Sequence, residues 1–332
     1  MIGASLIVGI LLGLVGCSDA SPAPAVQTTA FEPASGTYFA DDRVVSSLRF
    51  KNTGDDRRTF WVGYSVQDSL GRWHDVPAGS VELNAGKESE VQEKSWSVPE
   101  DDPPVSGAYN VKMSVWDAQP DEGGASRLAS AEKTSAFTVL NFEEDFGSLG
   151  DSRWRVTSKK LGLGSLEPEN VSAESGRLKL KLPADTFDGG EIESRELYLY
   201  GTYRARIKVA DAPSSITGFF LYKEPDFENE IDIEIFNDST GRILFTTYSG
   251  GEQTNTVRRE LPFDPTADFH DYRFDLYPDK AEFYVDGDRM HSFDKGLPKK
   301  AMKLQVNAWY PTWLSGEKPD ADGYTYVDQV RH

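Results

Sequence analysis

Apolar and polar residues alternate with a period of two along most of this chain, in short runs separated by turn signals. That period places successive side chains on opposite faces of a β-strand. Runs at 43–50, 59–66, 72–76, 88–98, 108–116 and 136–140 predict a first set of strands. Turn-forming segments stand between them, among them Asn52-Thr53-Gly54-Asp55, Ser69-Leu70-Gly71, Asn84-Ala85-Gly86 and Asp101-Asp102-Pro103-Pro104. Strands at this spacing predict a small β-sandwich over 36–140. A second set follows at 177–182, 190–194, 201–209, 217–222, 229–236, 243–248, 271–277, 281–285, 302–309 and 324–330. So many strands within 141–332 predict two large packed sheets. Tyr284-Val285-Asp286-Gly287-Asp288 reads as a hairpin with an Asp-Gly turn. No long segment carries the 3.6-residue period of a helix, and the fold class is all-β.

The run at 229–236 differs in what it alternates. Ile231, Ile233 and Ile235 point one way, into a core; Glu230, Asp232 and Glu234 point together the other way. Like charges side by side on one strand face repel. The bland reading is a solvated acidic face on an acidic protein. The chemical reading is glycoside hydrolysis, in which one carboxylate attacks or activates water and another, kept protonated, serves the leaving oxygen. A third acid between them raises a neighbour's pKa by like-charge coupling. On a straight strand the Cα atoms of i and i+4 lie about 13 Å apart, whereas the carboxyls of a retaining pair lie about 5 Å apart. The pattern therefore asks for a concave sheet with two long Glu arms leaning inward. Spacing leaves open which Glu takes which role.

The 332 residues include 54 Asp+Glu against 35 Lys+Arg, a formal net charge of -19. Such a surface excludes nucleic acid as a partner, because phosphates are repelled by it; a neutral polysaccharide is compatible. Residues 2–16 are apolar throughout, short for a bilayer-spanning helix and of the length of a signal-peptide core. They end in Leu14-Val15-Gly16-Cys17, which contains the only cysteine. This segment resembles the lipobox of bacterial lipoproteins. The resemblance implies removal of 1–16, lipidation of Cys17 and attachment to a membrane of the cell envelope, facing away from the cytoplasm. Residues 17–35, small, polar and Pro-rich, predict an extended tether. A single cysteine excludes an intrachain disulfide. The 36–140 sandwich loosely resembles immunoglobulin-like modules of surface proteins. Trp61, Trp73, Trp96 and Trp116 are expected mostly in its core, with a sugar-stacking platform as the alternative. The domain is accordingly read as a spacer rather than a carbohydrate-binding module.

Glu230-Ile-Asp232-Ile-Glu234 resembles the active-site strand of family 16 glycoside hydrolases. Further segments resemble that family in its own order: Gly189-Gly190-Glu191-Ile192-Glu193-Ser194-Arg195, Tyr200-Gly201-Thr202-Tyr203-Arg204-Ala205-Arg206-Ile207-Lys208, Phe269-His270-Asp271-Tyr272-Arg273-Phe274-Asp275, Phe283-Tyr284-Val285-Asp286-Gly287, Gln305-Val306-Asn307-Ala308-Trp309 and Tyr326-Val327-Asp328-Gln329-Val330-Arg331. The resemblance spans about 142–332 and implies a concanavalin A-like β-jelly-roll sandwich with a retaining mechanism. Carried over by position, Glu230 is the nucleophile, Glu234 the acid/base, and Asp232 tunes their protonation. The absence of an extra residue between Asp232 and Glu234 is similar to licheninases, whereas Ser194-Arg195 is closer to laminarinases. The implied substrate is a β-1,3- or mixed β-1,3-1,4-glucan.

Aromatic faces stack on sugar rings and polar groups read hydroxyls, which makes Trp309, Trp313, Tyr248, Asn307 and Arg195 the expected substrate contacts. No cofactor is expected in the chemistry. The resemblance implies a structural Ca²⁺ away from the cleft, with Asp328 and Glu144 as ligands by position. A monomer is expected. Two rival functions fit the same residues: a transglycosylase that passes the glycosyl-enzyme to another sugar, and a glycan-binding surface protein without turnover.

Overall fold

The computed structural model describes residues 25–99, 105–120, 123–149 and 153–332. The signal segment, the lipobox and Cys17 lie outside the described residues. The N-terminal unit contains β1 (Val26–Glu32), β2 (Thr37–Tyr38), β3 (Arg43–Asn52), β4 (Arg58–Gln67), β5 (Trp73–Leu83), β6 (Gln92–Ser97), β7 (Gly107–Trp116) and β8 (Arg127–Val139). They form a three-stranded sheet, β1-β3-β6, and a five-stranded sheet, β2-β8-β7-β4-β5. Phe50, Phe60, Tyr64, Tyr109 and Val115 fill the core between them.

Two expectations for this unit are corrected. Val26–Glu32 is a strand, not tether: β1 pairs antiparallel with β3, and Val26 and Phe31 pack on the core. A bulge between Thr28 and Ala30 shifts the register, so the two apolar residues fall out of period. Of the four tryptophans, only Trp96 is buried in the core. Trp61 and Trp116 face each other across β4 and β7 and are half-buried, and Trp73 is exposed. Phe60, Val62, Tyr64 and Val66 take the inward positions of β4, and the alternation sends Trp61 outward.

The C-terminal unit continues with β9 (Glu143–Glu144), β10 (Trp154–Val156), β11 (Lys159–Leu161), β12 (Gly164–Leu166), β13 (Val171–Ala173), β14 (Leu178–Leu182), β15 (Gly190–Ser194), β16 (Gly201–Lys208), β17 (Ile216–Lys223), β18 (Asn229–Phe236), β19 (Arg242–Ser249), β20 (Glu252–Glu260), β21 (His270–Leu276), β22 (Ala281–Val285), β23 (Asp288–Phe293), β24 (Lys303–Trp309) and β25 (Gly323–Arg331). Two large sheets form a jelly roll. One runs β10-β15-β24-β17-β18-β19-β20; the other runs β13-β14-β25-β16-β21-β22-β23, with β9 beside β25. Ile231, Ile233 and Ile235 enter the core between the sheets together with Phe219, Phe245 and Phe274. β20, Glu-Gln-Thr-Asn-Thr-Val-Arg-Arg-Glu, is an edge strand in which Asn255, Val257 and Arg259 alternate as the half-buried positions, but polar residues on both faces hide that period in the sequence.

The two units meet at a polar joint. Ser106 Oγ accepts from Thr202 N at 3.0 Å and lies 2.9 Å from His332 Nδ1. The His332 ring stacks on Tyr203 at 4.1 Å between centroids. Burial lowers its pKa to about 3, so the imidazole stays neutral.

Candidate active site

The strand with the three acids sits near the middle of the seven-stranded sheet, between β17 and β19. Its isoleucines are withdrawn into the core, and the pleat therefore turns Glu230, Asp232 and Glu234 to the outer face. All three line one groove of about 360 Å³, together with Phe220, Tyr222, Phe227, Tyr248, Gln305, Asn307, Trp309 and Trp313. Cross-strand register sets the rows of the groove floor. Glu230 lies between Tyr222 and Tyr248, Asp232 between Phe220 and Thr246, and Glu234 between Gly218 and Leu244. Glycine at 218 has a local cause: an added Cβ would stand 2.6 Å from Asn307 Oδ1. The missing side chain leaves room beside Glu234, and Gly218 N donates to Asn307 Oδ1 at 3.2 Å.

Electrostatics separates the three acids. Burial pushes the Asp232 carboxyl well up, and the neighbouring Glu230 and Glu234 charges push the same way. Its Oδ1 is buried with no hydrogen-bond partner among the described residues, and its side chain bonds Glu230. A neutral Asp232 donating to Glu230 favours the ionised form of Glu230. Glu230 is itself pushed up to about 8 by burial first and then by the Glu234 charge, while Asp232 and Lys159 pull it down. Burial pushes Glu234 up to about 7. The three titrate as a unit, and that unit holds protons at neutral pH. The arrangement thus offers an ionisable carboxylate and a protonated carboxyl on one trough floor, which is the apparatus of general acid and nucleophilic catalysis at an acetal.

The structure brings most of the predicted contacts to this groove. Trp309 is half-buried at its edge, where the backbone near Gly162 on the β11–β12 turn closes against its ring. Trp313 is exposed with its edge on Phe236, and Tyr248 lies 5.3 Å from Phe227 between ring centroids. Asn307 lines the groove with both amide atoms engaged, its Nδ2 donating to Glu191 Oε2 at 3.0 Å. Arg195 is different: it is exposed and lines neither the groove nor the cavity next to it. It falls in the bend after β15, where the strand alternation no longer governs direction.

Asp328 and Glu144 are both engaged with other groups. Asp328 Oδ1 and Oδ2 face Arg177 Nε at 3.1 Å and Arg206 Nε at 3.4 Å. Glu144 accepts from Phe146 N at 3.0 Å and from Trp154 Nε1 at 3.0 Å, with Arg153 beside it. Guanidinium groups already balance these charges. Among the described residues no three His, Cys, Asp or Glu side chains form a metal-holding group.

Sequence reasoning missed several groove residues. Glu191 is buried on β15, accepting from Thr157 Oγ1 at 3.0 Å and paired with Lys159 Nζ at 2.9 Å. The acid–apolar alternation of Glu191-Ile192-Glu193 repeats that of 230–234 and was the available signal. Phe220 and Tyr222 carried no such signal, because groove-facing and core-facing positions of β17 are both apolar or aromatic, and Gln305, on β24, is not an acid.

An all-β jelly roll with paired acids on the floor of an aromatic-lined trough defines a polysaccharide-cleaving class of protein. Residues 164–328 match the family model described as Glycosyl hydrolases family 16. The beta-glucanase of Paenibacillus polymyxa is 33% identical over 213 residues, covering 60% of this chain and 90% of that protein. The beta-glucanase of Bacillus subtilis (strain 168) is 30% identical over 222 residues, 62% of this chain and 92% of that protein. The beta-glucanase of Acetivibrio thermocellus is also 30% identical over 222 residues, and there the chain spans 66% of the relative's length. Among solved structures, the Bacillus licheniformis beta-glucanase superposes with a TM-score of 0.53 at 28% identity, covering 57% of this chain and 96% of that one. The chain belongs to glycosyl hydrolases family 16 and is a glycoside hydrolase.

Proposed function

We propose that this protein is a retaining endo-β-glucanase that cleaves β-1,3- or mixed β-1,3-1,4-glucans at the cell surface. The observation that carries the reading is the convergence of Glu230, Asp232 and Glu234 on one aromatic-lined groove. The three relatives named above are each called beta-glucanase, which supports the substrate class. Glu230 attacks the anomeric carbon and forms a glycosyl-enzyme ester, while Glu234 gives its proton to the leaving oxygen. Glu234, now a carboxylate, takes a proton from water, whose oxygen displaces Glu230 and restores both groups. Asp232 holds its proton between them and steadies the Glu230 charge before attack. Trp309, Trp313 and Tyr248 stack on sugar rings along the groove. Arg195 has no part in this reading.

The experiment is Glu230→Gln assayed for reducing-sugar release from soluble β-glucans. Activity is expected to fall at least about 10³-fold, as for loss of a nucleophile; a variant that retains a tenth of wild-type turnover removes the assignment. Cys17 is proposed as a lipidated anchor of the cell envelope, with the catalytic unit outside the cytoplasm and acting as a monomer.

A further inference from the structure

The groove does not end at the acids. On the Glu230 side it opens into a second cavity of about 570 Å³, which shares Lys159, Tyr222, Glu224 and Gln305 with it. Four cations line this cavity, Arg155, Lys159, Lys223 and Lys303, against two carboxylates, Glu193 and Glu224. This balance runs against a chain whose formal net charge is -19. The cations are also placed, not scattered. Arg155 Nη2 and Lys303 Nζ both converge on Glu193 Oε1, at 2.5 and 3.3 Å, so one carboxylate serves two positive groups. Lys303 Nζ is further held by the Ser194 and Arg195 carbonyls, at 2.8 and 3.2 Å. Lys159 is held by Glu191 at 2.9 Å. Lys223 forms no ion pair among the described residues and stands at the rim, half-exposed. Gln305 is 2% exposed and lines both cavities, with its Oε1 unpaired among the described residues.

Stacking aromatics and a buried, unpaired amide oxygen suit sugar hydroxyls; a net-positive wall does not serve a neutral ring. We propose that this cavity is a subsite for a sugar unit carrying an anionic substituent, so that the preferred substrate is a β-glucan-type chain with negatively charged side groups. The inference rests on the catalytic reading above and narrows its substrate. Lys223 meets the anion, Gln305 accepts a hydroxyl of the same unit, and the pairing of Lys159 with Glu191 and of Arg155 and Lys303 with Glu193 keeps those carboxylates from repelling the charge. A carboxylate and a sulfate ester share this chemistry and are told apart by the substrates used.

The test uses one β-glucan backbone in three forms: neutral, partly carboxymethylated and partly sulfated. Wild-type kcat/KM is expected to be higher on at least one charged form, by a lower KM, and this advantage is expected to shrink as salt rises. Lys223→Gln is expected to lower the charged-to-neutral ratio of kcat/KM about fivefold, the worth of one partly exposed charge contact. Arg155→Gln is a second variant, expected to lower the same ratio. Better turnover of the charged form that greets carboxymethyl but not sulfate, or the reverse, names the anion. Turnover of the neutral form with no advantage for either charged form overturns the subsite and leaves the glucanase reading in place. Loss of no ratio in either variant also overturns it. Failure to cleave any of the three forms overturns the glucanase reading and this inference with it.

Discussion

Asp232 shows how much chemistry a single side chain carries through its surroundings. It is buried between two carboxyls that are themselves raised, and its own pKa stands well above the ordinary carboxylate value. A carboxyl whose pKa is higher folded than unfolded binds its proton more tightly in the native state. Native stability is then fully present below the unfolded pKa and is lost as pH rises through the folded one. Glu234, raised to about 7, and Glu230, raised to about 8, have the same sign. The cluster therefore weakens the fold between about pH 4.5 and 8. Asp232→Asn removes one member of it. The variant is expected to melt higher than wild type at pH 8, with the difference fading at pH 4.5. Thermal unfolding at the two pH values checks this, and a lower melting point at both refutes the role given to burial and like charge. In wild type kcat/KM is expected to fall on the alkaline side as the coupled acids give up their shared proton, a loss that belongs to the trio and not to Glu234 alone. At this scale much was readable in advance. The carboxylates stood out because three acids at period two repel one another, although a solvated acidic face fits the same spacing. Arg195 did not keep its expected place, since a side chain in a bend has no face to be assigned to.

Among the strands, the site depends on neighbours of β18 as much as on β18 itself. β17 supplies Phe220 and Tyr222 to the floor and, at Gly218, a gap. β24 fills part of that gap with Asn307, which in turn holds Glu191 on β15. Gly218→Ala puts a methyl 2.6 Å from Asn307 Oδ1 and 3.2 Å from a Phe220 ring carbon. The expected outcome is a loss of about 1–3 kcal/mol in stability from overpacking and at least a tenfold fall in kcat/KM as the Asn307 and Glu234 side chains move. Chemical denaturation and steady-state kinetics on the same preparation read both; full activity with unchanged stability contradicts the packing described. The alternation that reveals β14, β16 and β18 comes from one face buried and the other polar. Strands without that contrast escaped notice: β1 because a bulge breaks its register, β20 because an edge strand can be polar on both faces. Pairing order across the sheet, β15-β24-β17-β18, joins segments far apart in sequence, and no local pattern encodes it.

For the whole molecule, the N-terminal sandwich is docked on the catalytic unit through Ser106, Thr202 and a neutral, aromatic-packed His332. The proposed anchor belongs to this scale too. Metabolic labelling with a fatty acid is expected to mark the wild-type protein and not Cys17→Ser, and the variant is expected in the soluble fraction; label on the variant ends the proposal. The linear order of residues by itself determined the all-β class, two successive sets of strands, the acid triplet and the acidic net charge. These follow from period, turn residues and composition, which are local or summed properties of the chain. Only the tertiary structure decided that Trp61, Trp73 and Trp116 face outward, that Asp328 and Glu144 are taken up by arginines and hydrogen-bond donors, and that cations gather at one end of the groove. Each of those depends on which distant strands lie side by side and how a sheet curves, and such long-range packing is settled by the folded chain as a whole.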